Sequence, residues 1–213
     1  MLGELANLAQ DRLTADLYSD HAKKAFWINI YNAFIQLRAR EWGPRMSDEK
    51  KLFFTSKHIE VASLKLSFDD IEHGILRKGQ FKYSLGFVKK FWRGRNLDHL
   101  MVDQVDYRIH FALNCAAAGC PAIAFYSKEN IEQELADAEK VFIDSDVVVS
   151  TDGNEVSLSK LWFWYLGDFG GFRGIKRILR KVGVVDNESV RLRFVDYDWS
   201  LQLDKYREYE FLE

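Results

Sequence analysis

The sequence predicts an α+β fold, a single domain in which an aromatic-rich core lies between helices and a small, mainly antiparallel sheet. Three observations lead to this prediction. Segments with helical periodicity alternate irregularly with short segments of strand periodicity, without the regular βαβ order of a parallel sheet. The 213 residues suffice for one domain with a full core. Aromatic residues make up 15% of the chain, and each buries a large area in a core.

Helical periodicity is strong in the N-terminal part. Residues 7–40 predict two helices that break at residues 19–20, where either side chain can cap the second helix. The second helix is apolar nearly all round, which is typical of a buried helix. Asn29, Asn32 and Gln36 form one polar stripe along it. Buried amides need hydrogen-bond partners, so this stripe either ties loops to the helix or lines a site.

A short polar helix is predicted next. Ser67 is a good N-cap for a helix over residues 67–77. Asp70, His73 and Arg77 form a polar stripe on it, opposite an apolar face. By spacing alone, such a stripe is typical of a solvated face with an internal ion pair.

Alternating residues predict a strand over 105–114, with His110 and Asn114 on the face opposite the apolar side chains. The remaining predictions are a strand at 58–61, a short basic amphipathic helix within 81–96, a helix over 128–142, a hairpin over 146–156, an aromatic helix over 158–169, a basic helix over 173–181 and a strand over 190–195.

Charge and hydropathy exclude several classes of protein. The formal net charge is −2, which predicts no nucleic-acid partner and no polybasic membrane surface. No apolar run approaches the roughly 20 residues of a transmembrane helix. The N-terminus lacks a signal-peptide pattern, which predicts a cytoplasmic protein, or an exported one (periplasmic or secreted) if a leader has been trimmed. There is no Gly-rich phosphate loop, dinucleotide fingerprint or GxSxG elbow, so no cofactor is predicted.

The two cysteines, Cys115 and Cys120, enclose a loop of small residues just before a helix. Their spacing matches neither a CxxC redox motif nor a four-ligand zinc pattern. Three functional hypotheses follow: a cysteine nucleophile with His73 or His110 as its base, a metal site of cysteines and histidines, and a reversible disulfide. The structural alternative is a small buried Cys115 and a loop residue Cys120.

Four sequence blocks stand out within residues 25–170. They are FWINIYNA at 26–33, LSFDDIEHGILR at 66–77, RIHFALNC at 108–115 with Cys120-Pro121, and LSKLWFWYLGDFG at 158–170. In this order they resemble the family catalogued as domain of unknown function 547. The resemblance implies a family-like core over about 25–170, with a C-terminal helix and strand extension over 171–213, but no established reaction.

The resemblance also implies that the polar residues of the blocks form one site. The family pattern includes Asn29, Asn32, Glu72, His73, Arg77, His110, Asn114, Cys115 and Cys120. The cysteine loop departs from the pattern, because Ala116-Ala-Ala-Gly119 stands where the family usually shows a Gly-Ala-x-Ser run. A role for a loop hydroxyl is therefore not expected.

The leading hypothesis is a cysteine-dependent hydrolase or acyl transferase. Its candidate catalytic residues are Cys120 as nucleophile with Cys115 in reserve, His73 as base, Glu72 (or Asp70) to orient it, and His110. The candidate substrate contacts are Asn29, Asn32, Asn114 and Arg77, and no metal ligands are assigned. The predicted ligand is a small molecule or peptide of unidentified structure, and the sequence does not indicate an oligomeric state.

Two alternatives stay open at this point. One is a non-catalytic binding or scaffold domain, and the other is a small Cys/His zinc site. One difficulty counts against the enzyme hypothesis. On an ideal α-helix, Glu72 points about 100° away from His73 and cannot easily orient its ring.

Overall fold

The computed structural model describes residues 2–89 and 97–207, where helices and two small sheets are interspersed. The α-helices are α1 (Leu2–Ala6), α2 (Gln10–Asp16), α3 (Asp20–Trp42), α4 (Arg45–Asp48), α5 (Lys50–Thr55), α6 (Ile131–Asp146), α7 (Lys160–Trp164) and α8 (Gly171–Lys181). A π-helix spans Asp70–Leu76, and 3₁₀ helices span Asp98–Leu100 and Tyr107–Phe111. The strands are β1 (Ile59–Val61), β2 (Leu64–Leu66), β3 (Val148–Val149), β4 (Glu155–Ser159) and β5 (Arg191–Val195). The α+β prediction is confirmed.

The strands form two separate sheets. β1 pairs with β2 in an antiparallel hairpin. The other sheet has the order β3-β4-β5, in which β3 and β4 are antiparallel and β4 and β5 are parallel. The predicted hairpin over 146–156 and the predicted last strand are both present.

The long helix α3 is buried, as its sequence predicts. Ser19 caps it by accepting a hydrogen bond from the backbone N–H of Ala22 at 3.2 Å. Trp27, Ile28 and Ile35 have no exposed surface. A helix apolar on nearly all sides can be stable only when neighbouring elements cover it, and here α6 and the π-helix contact α3.

Buried apolar side chains form two clusters. The first surrounds α3 and includes Trp27, Phe53 and Phe68. The second lies under α7 and α8 and includes Phe111 and Trp162. Both clusters thus contain several aromatic side chains. The candidate site described below lies between elements of the two clusters.

The predicted strand over 105–114 is wrong. Asp106 accepts a hydrogen bond from the backbone N–H of Arg108 at 3.1 Å and starts the 3₁₀ helix Tyr107–Phe111. The consecutive residues Ile109, His110 and Phe111 are all buried. A segment buried on every side need not be a strand, so alternation alone was misleading here.

Two other predicted helices differ in length or type. The aromatic helix over 158–169 is reduced to α7, which is followed by turns. Residues 81–89 form turns rather than a helix, and the rest of the predicted basic helix lies outside the described residues. Among residues 2–89 and 97–207, no helix combines the length and the apolarity that crossing a membrane requires.

Candidate functional site

A cavity of about 130 Å³ lies where the π-helix, the 3₁₀ helix at residues 107–111 and the segment after α7 meet. Cavities of about 150 Å³ in other proteins bind molecules the size of benzene. Among its lining residues are the predicted site residues Glu72, His73, His110 and Cys115. The sequence blocks thus converge on one cavity.

The π-helix explains how Glu72, His73 and Arg77 come together. Its wider turn is recorded by i→i+5 hydrogen bonds, such as that from the Arg77 backbone N–H to the Glu72 carbonyl at 2.8 Å. Glu72 Oε1 lies 3.6 Å from His73 Nδ1, although an α-helix would make the two side chains diverge. Asp70, the other predicted orienting residue, instead binds the Ser67 backbone N–H and hydroxyl at the helix start.

Glu72 is a buried carboxylate that tyrosines hold. Tyr165 donates its hydroxyl hydrogen bond to Glu72 Oε1 at 2.5 Å, and Tyr31 donates to Oε2 at 3.3 Å. Burial alone would raise the pKa of Glu72, but the charge that His73 carries when it is protonated, the Tyr165 hydrogen bond and the Arg77 charge together lower it. Glu72 is therefore ionised at neutral pH.

The tautomer of His73 follows from its contact with Arg77. Arg77 Nη1 lies 2.8 Å from His73 Nδ1, and a guanidinium can only donate. Nδ1 is therefore the acceptor, and the neutral ring has its proton on Nε2, 3.8 Å from Asp69 Oδ1. Burial, aided by the Arg77 charge, lowers the pKa of His73 despite the attraction of Glu72. His73 is a neutral hydrogen-bond donor in this arrangement.

Asp168 joins Arg77 to His110 beneath the cavity. Arg77 donates from Nε to Asp168 Oδ2 at 2.5 Å and from Nη2 to Oδ1 at 3.0 Å, and neither side chain has exposed surface. His110 Nε2 lies 2.8 Å from the same Oδ2. Burial would raise the pKa of Asp168, but the hydrogen bonds from His110 and Arg77 outweigh it and lower the pKa.

His110 has the geometry of an oriented imidazole. Since the Asp168 carboxylate accepts from Nε2, the neutral ring has Nδ1 as the nitrogen that can take up a proton. The ring stacks on Tyr165 with centroids 3.8 Å apart. Burial lowers the pKa of His110 in spite of the hydrogen bond to Asp168. Within residues 2–89 and 97–207, the hydrogen bond to the His110 ring is the one at Nε2, and a carboxylate that fixes one imidazole nitrogen in this way is typical of a general base.

Cys115 and Cys120 form a disulfide. Cys115 lines the cavity, whereas Cys120 is 1% exposed and belongs to the second apolar cluster. Cys120 Sγ accepts hydrogen bonds from the Cys115 backbone N–H at 2.9 Å and from the Tyr197 hydroxyl at 3.2 Å. Of the two sulfurs, the one at the cavity is therefore that of Cys115.

The amide stripe of α3 ties loops to the helix. Asn29 bonds both polar backbone groups of Tyr126, and Asn32 bonds the Ala112 carbonyl and the Asn114 N–H. Asn114 in turn donates to the Pro121 carbonyl at 2.7 Å. These contacts fix the segment that contains the disulfide, and the predicted substrate contacts of Asn29, Asn32 and Asn114 stay predictions.

The C-terminal segment completes the support of the cysteine loop. The N–H groups of Ala118 and Gly119 donate to the carbonyls of Ser200 and Asp198 at 2.8 and 3.0 Å. Ala116 has a φ of 60°, in the left-handed region that favours glycine. The cysteine loop therefore begins with an alanine in a backbone conformation that is unfavourable for a residue with a side chain.

Several site residues were not predicted from the sequence. They are Tyr31, Tyr165, Asp168 and Tyr197. Asp168 could have been singled out from the sequence, because it is the one carboxylate in the aromatic, glycine-containing block at 158–170. Within residues 2–89 and 97–207, no group of three or more His, Cys, Asp or Glu side chains is placed to hold a metal ion.

The lowered histidine pKa values predict a specific pH dependence of stability. Below the ordinary histidine pKa of about 6.5, the unfolded chain takes up protons that native His73 and His110 resist. The free energy of unfolding should then fall with decreasing pH, by up to about 1.4 kcal/mol per pH unit for each histidine. Urea unfolding between pH 5 and 8 measures this slope, and His110→Gln should flatten it. A wild-type stability that is constant from pH 7 to pH 5 would contradict the assignment.

Fold and site together define the class: a small α+β protein with a buried acid–base cluster beside a disulfide. A family model described as "Protein of unknown function, DUF547" matches residues 15–143, and the chain belongs to that family. The resemblance found from the sequence blocks is confirmed. No curated protein and no solved structure matches the chain.

Proposed function

We propose that this protein is a cysteine-dependent hydrolase or acyl transferase that works when its disulfide is reduced. The observation that supports this most strongly is that Cys115 shares a cavity with His110, whose Nε2 is held by Asp168. A nucleophile, a base and a group that orients the base are the three parts that covalent acyl transfer requires.

The proposed roles differ from the sequence hypothesis in two respects. Cys115 takes the place of Cys120 as the nucleophile, because Cys115 lines the cavity and Cys120 is buried. His110 is the base because the Arg77 donor occupies His73 Nδ1. His73 keeps a role as a hydrogen-bond donor through Nε2, suited to an oxygen on which negative charge develops.

The reaction begins with transfer of the Cys115 thiol proton to His110 Nδ1. The thiolate attacks the acyl carbon and forms the acyl–sulfur bond. The bond from that carbon to the leaving group then breaks, and His110 returns the proton to the leaving group. Water then releases the acid in a hydrolase, or a second nucleophile accepts the acyl group in a transferase. Arg77 is a positioning residue, because its guanidinium holds Asp168 and His73 in place.

Alkylation of the reduced protein tests this proposal. After mild reduction, iodoacetamide should modify Cys115 faster than Cys120, as read by peptide mass. His110→Gln should slow Cys115 alkylation at neutral pH by about tenfold or more, because the base that forms the thiolate is lost. The matched control is His99→Gln, which changes an exposed histidine on the 3₁₀ helix Asp98–Leu100 and should leave the rate unchanged.

A second comparison connects the thiol to activity. Reduced wild-type protein should hydrolyse a simple acyl ester, Cys120→Ser should retain that activity, and Cys115→Ser should lose it. If both thiols react only on unfolding, the nucleophile proposal fails, and the binding-domain alternative gains support.

A further inference from the structure

One wall of the cavity is a cluster of aromatic rings. Trp164, Tyr197 and Trp199 pack against one another with ring centroids 5.0–5.6 Å apart. Lys50 Nζ lies 4.0 Å from the centroid of Trp199, a cation–π contact with one ring of this cluster. Since Lys50 already occupies Trp199, ring faces for a ligand are assigned to Trp164 and Tyr197.

Within residues 2–89 and 97–207, the carboxylates at and beside the cavity differ in their hydrogen-bond partners. Lys82 Nζ donates to both oxygens of Asp69 at 2.9 Å, and Arg77 is paired with Asp168. In the described part of the chain, the hydrogen bonds to Glu72 come from tyrosine hydroxyls, which are neutral. Glu72, 8% exposed, is thus a cavity carboxylate with no cation among its hydrogen-bond partners in these residues. Arg77, whose charge attracts Glu72, is already paired with Asp168.

We propose that the cavity binds a compact organic ammonium group, with Glu72 as its counter-charge and Trp164 and Tyr197 as its ring contacts. Aromatic faces combined with a carboxylate are the chemistry that recognises alkylated ammonium ions. The volume of about 130 Å³ admits such a group rather than a long chain. Combined with the proposed function, the inference names a substrate class, acyl compounds with an ammonium group. This part of the inference rests on the proposed function.

Binding to the oxidised wild-type chain tests this without any catalysis. Isothermal titration calorimetry with choline is compared with 3,3-dimethylbutan-1-ol, a neutral molecule of the same shape. Choline should bind at least about tenfold more tightly, and tetramethylammonium should compete with it. Equal affinities of the two compounds, or no binding of choline, would overturn the inference.

A matched pair of glutamates sharpens the test. Glu72→Gln should weaken choline binding about tenfold and leave the alcohol unchanged. Glu139→Gln is the control, because Glu139 is also buried and also accepts from a tyrosine, Tyr107 at 2.6 Å, but it is paired with Lys181 at 3.2 Å and does not line the cavity. An equal loss in both variants would contradict a specific role for Glu72. If Glu72→Gln fails to fold, the choline comparison on wild-type protein still decides.

The two proposals can fail separately. Choline binding with inert thiols would support the ammonium site and reject the cysteine enzyme. A reactive Cys115 with no preference for choline would reject the ammonium site and leave the enzyme proposal standing.

Discussion

Asp168→Asn is expected to lower the free energy of unfolding by about 3–5 kcal/mol. Asp168 and Arg77 have no exposed side-chain surface, so water cannot solvate either charge. Asparagine preserves the shape of the side chain but removes the negative charge, and the buried guanidinium then loses the counter-charge to which it is hydrogen-bonded. Urea unfolding at neutral pH, compared with wild type, measures the loss.

An exposed ion pair provides the control. Lys160 and Asp196 form an ion pair with side chains 46% and 92% exposed. Asp196→Asn should cost less than about 1 kcal/mol, because solvent screens the pair. Replacing both partners of the buried pair, as Arg77→Met with Asp168→Asn, should recover part of the loss. If Asp168→Asn lowers the free energy of unfolding by no more than Asp196→Asn does, the buried ion pair of Arg77 and Asp168 does not stabilise the fold.

Sequence periodicity predicted the elements whose structure is dictated locally. α3 follows from its apolar character on nearly all sides and its Ser19 cap, and β1 follows from the apolar–polar alternation of residues 59–61. The π-helix could not be predicted this way, because its seven residues have the apolar spacing of an ordinary α-helix and only the i→i+5 hydrogen bonds distinguish it. The failure at residues 105–114 has another origin: residues 109–114 are all buried, so alternation of apolar and polar side chains does not indicate a strand there.

The site shows a similar division. Glu72, His73, His110 and Cys115 were predicted, and they line one cavity. Their roles depended on partners far along the chain, such as the Asp168 carboxylate, 91 residues from Arg77. A tautomer is decided by such a partner, so sequence spacing could not distinguish the two histidines, for which we propose a donor role at His73 and a base role at His110.

Gly86→Ala is the second change with a large expected effect. Gly86 does not line the cavity, but it packs against Asp168, so the substitution tests whether that contact holds the carboxylate in place. Gly86 has a φ of 85°, and a Cβ added there would lie 2.3 Å from Asp168 Oδ1 and 2.9 Å from the Asp168 backbone N. Left-handed backbone costs alanine about 1–2 kcal/mol. The overlap adds displacement of the carboxylate that holds Arg77 and His110, so the total loss should exceed about 3 kcal/mol.

Gly183→Ala separates the two contributions. Gly183 has a similar φ of 81°, but an added Cβ would meet nothing within 4 Å. Its cost should therefore be the backbone contribution alone, about 1–2 kcal/mol in urea unfolding. Gly86→Ala should also slow Cys115 alkylation in the reduced protein, because a displaced Asp168 no longer fixes the His110 tautomer, and Gly183→Ala should not. Equal effects of the two substitutions on stability and on alkylation would show that the loop containing Gly86 does not hold Asp168 in place. A larger effect at Gly86 on both would mean that close packing of a glycine keeps the acid–base cluster in order.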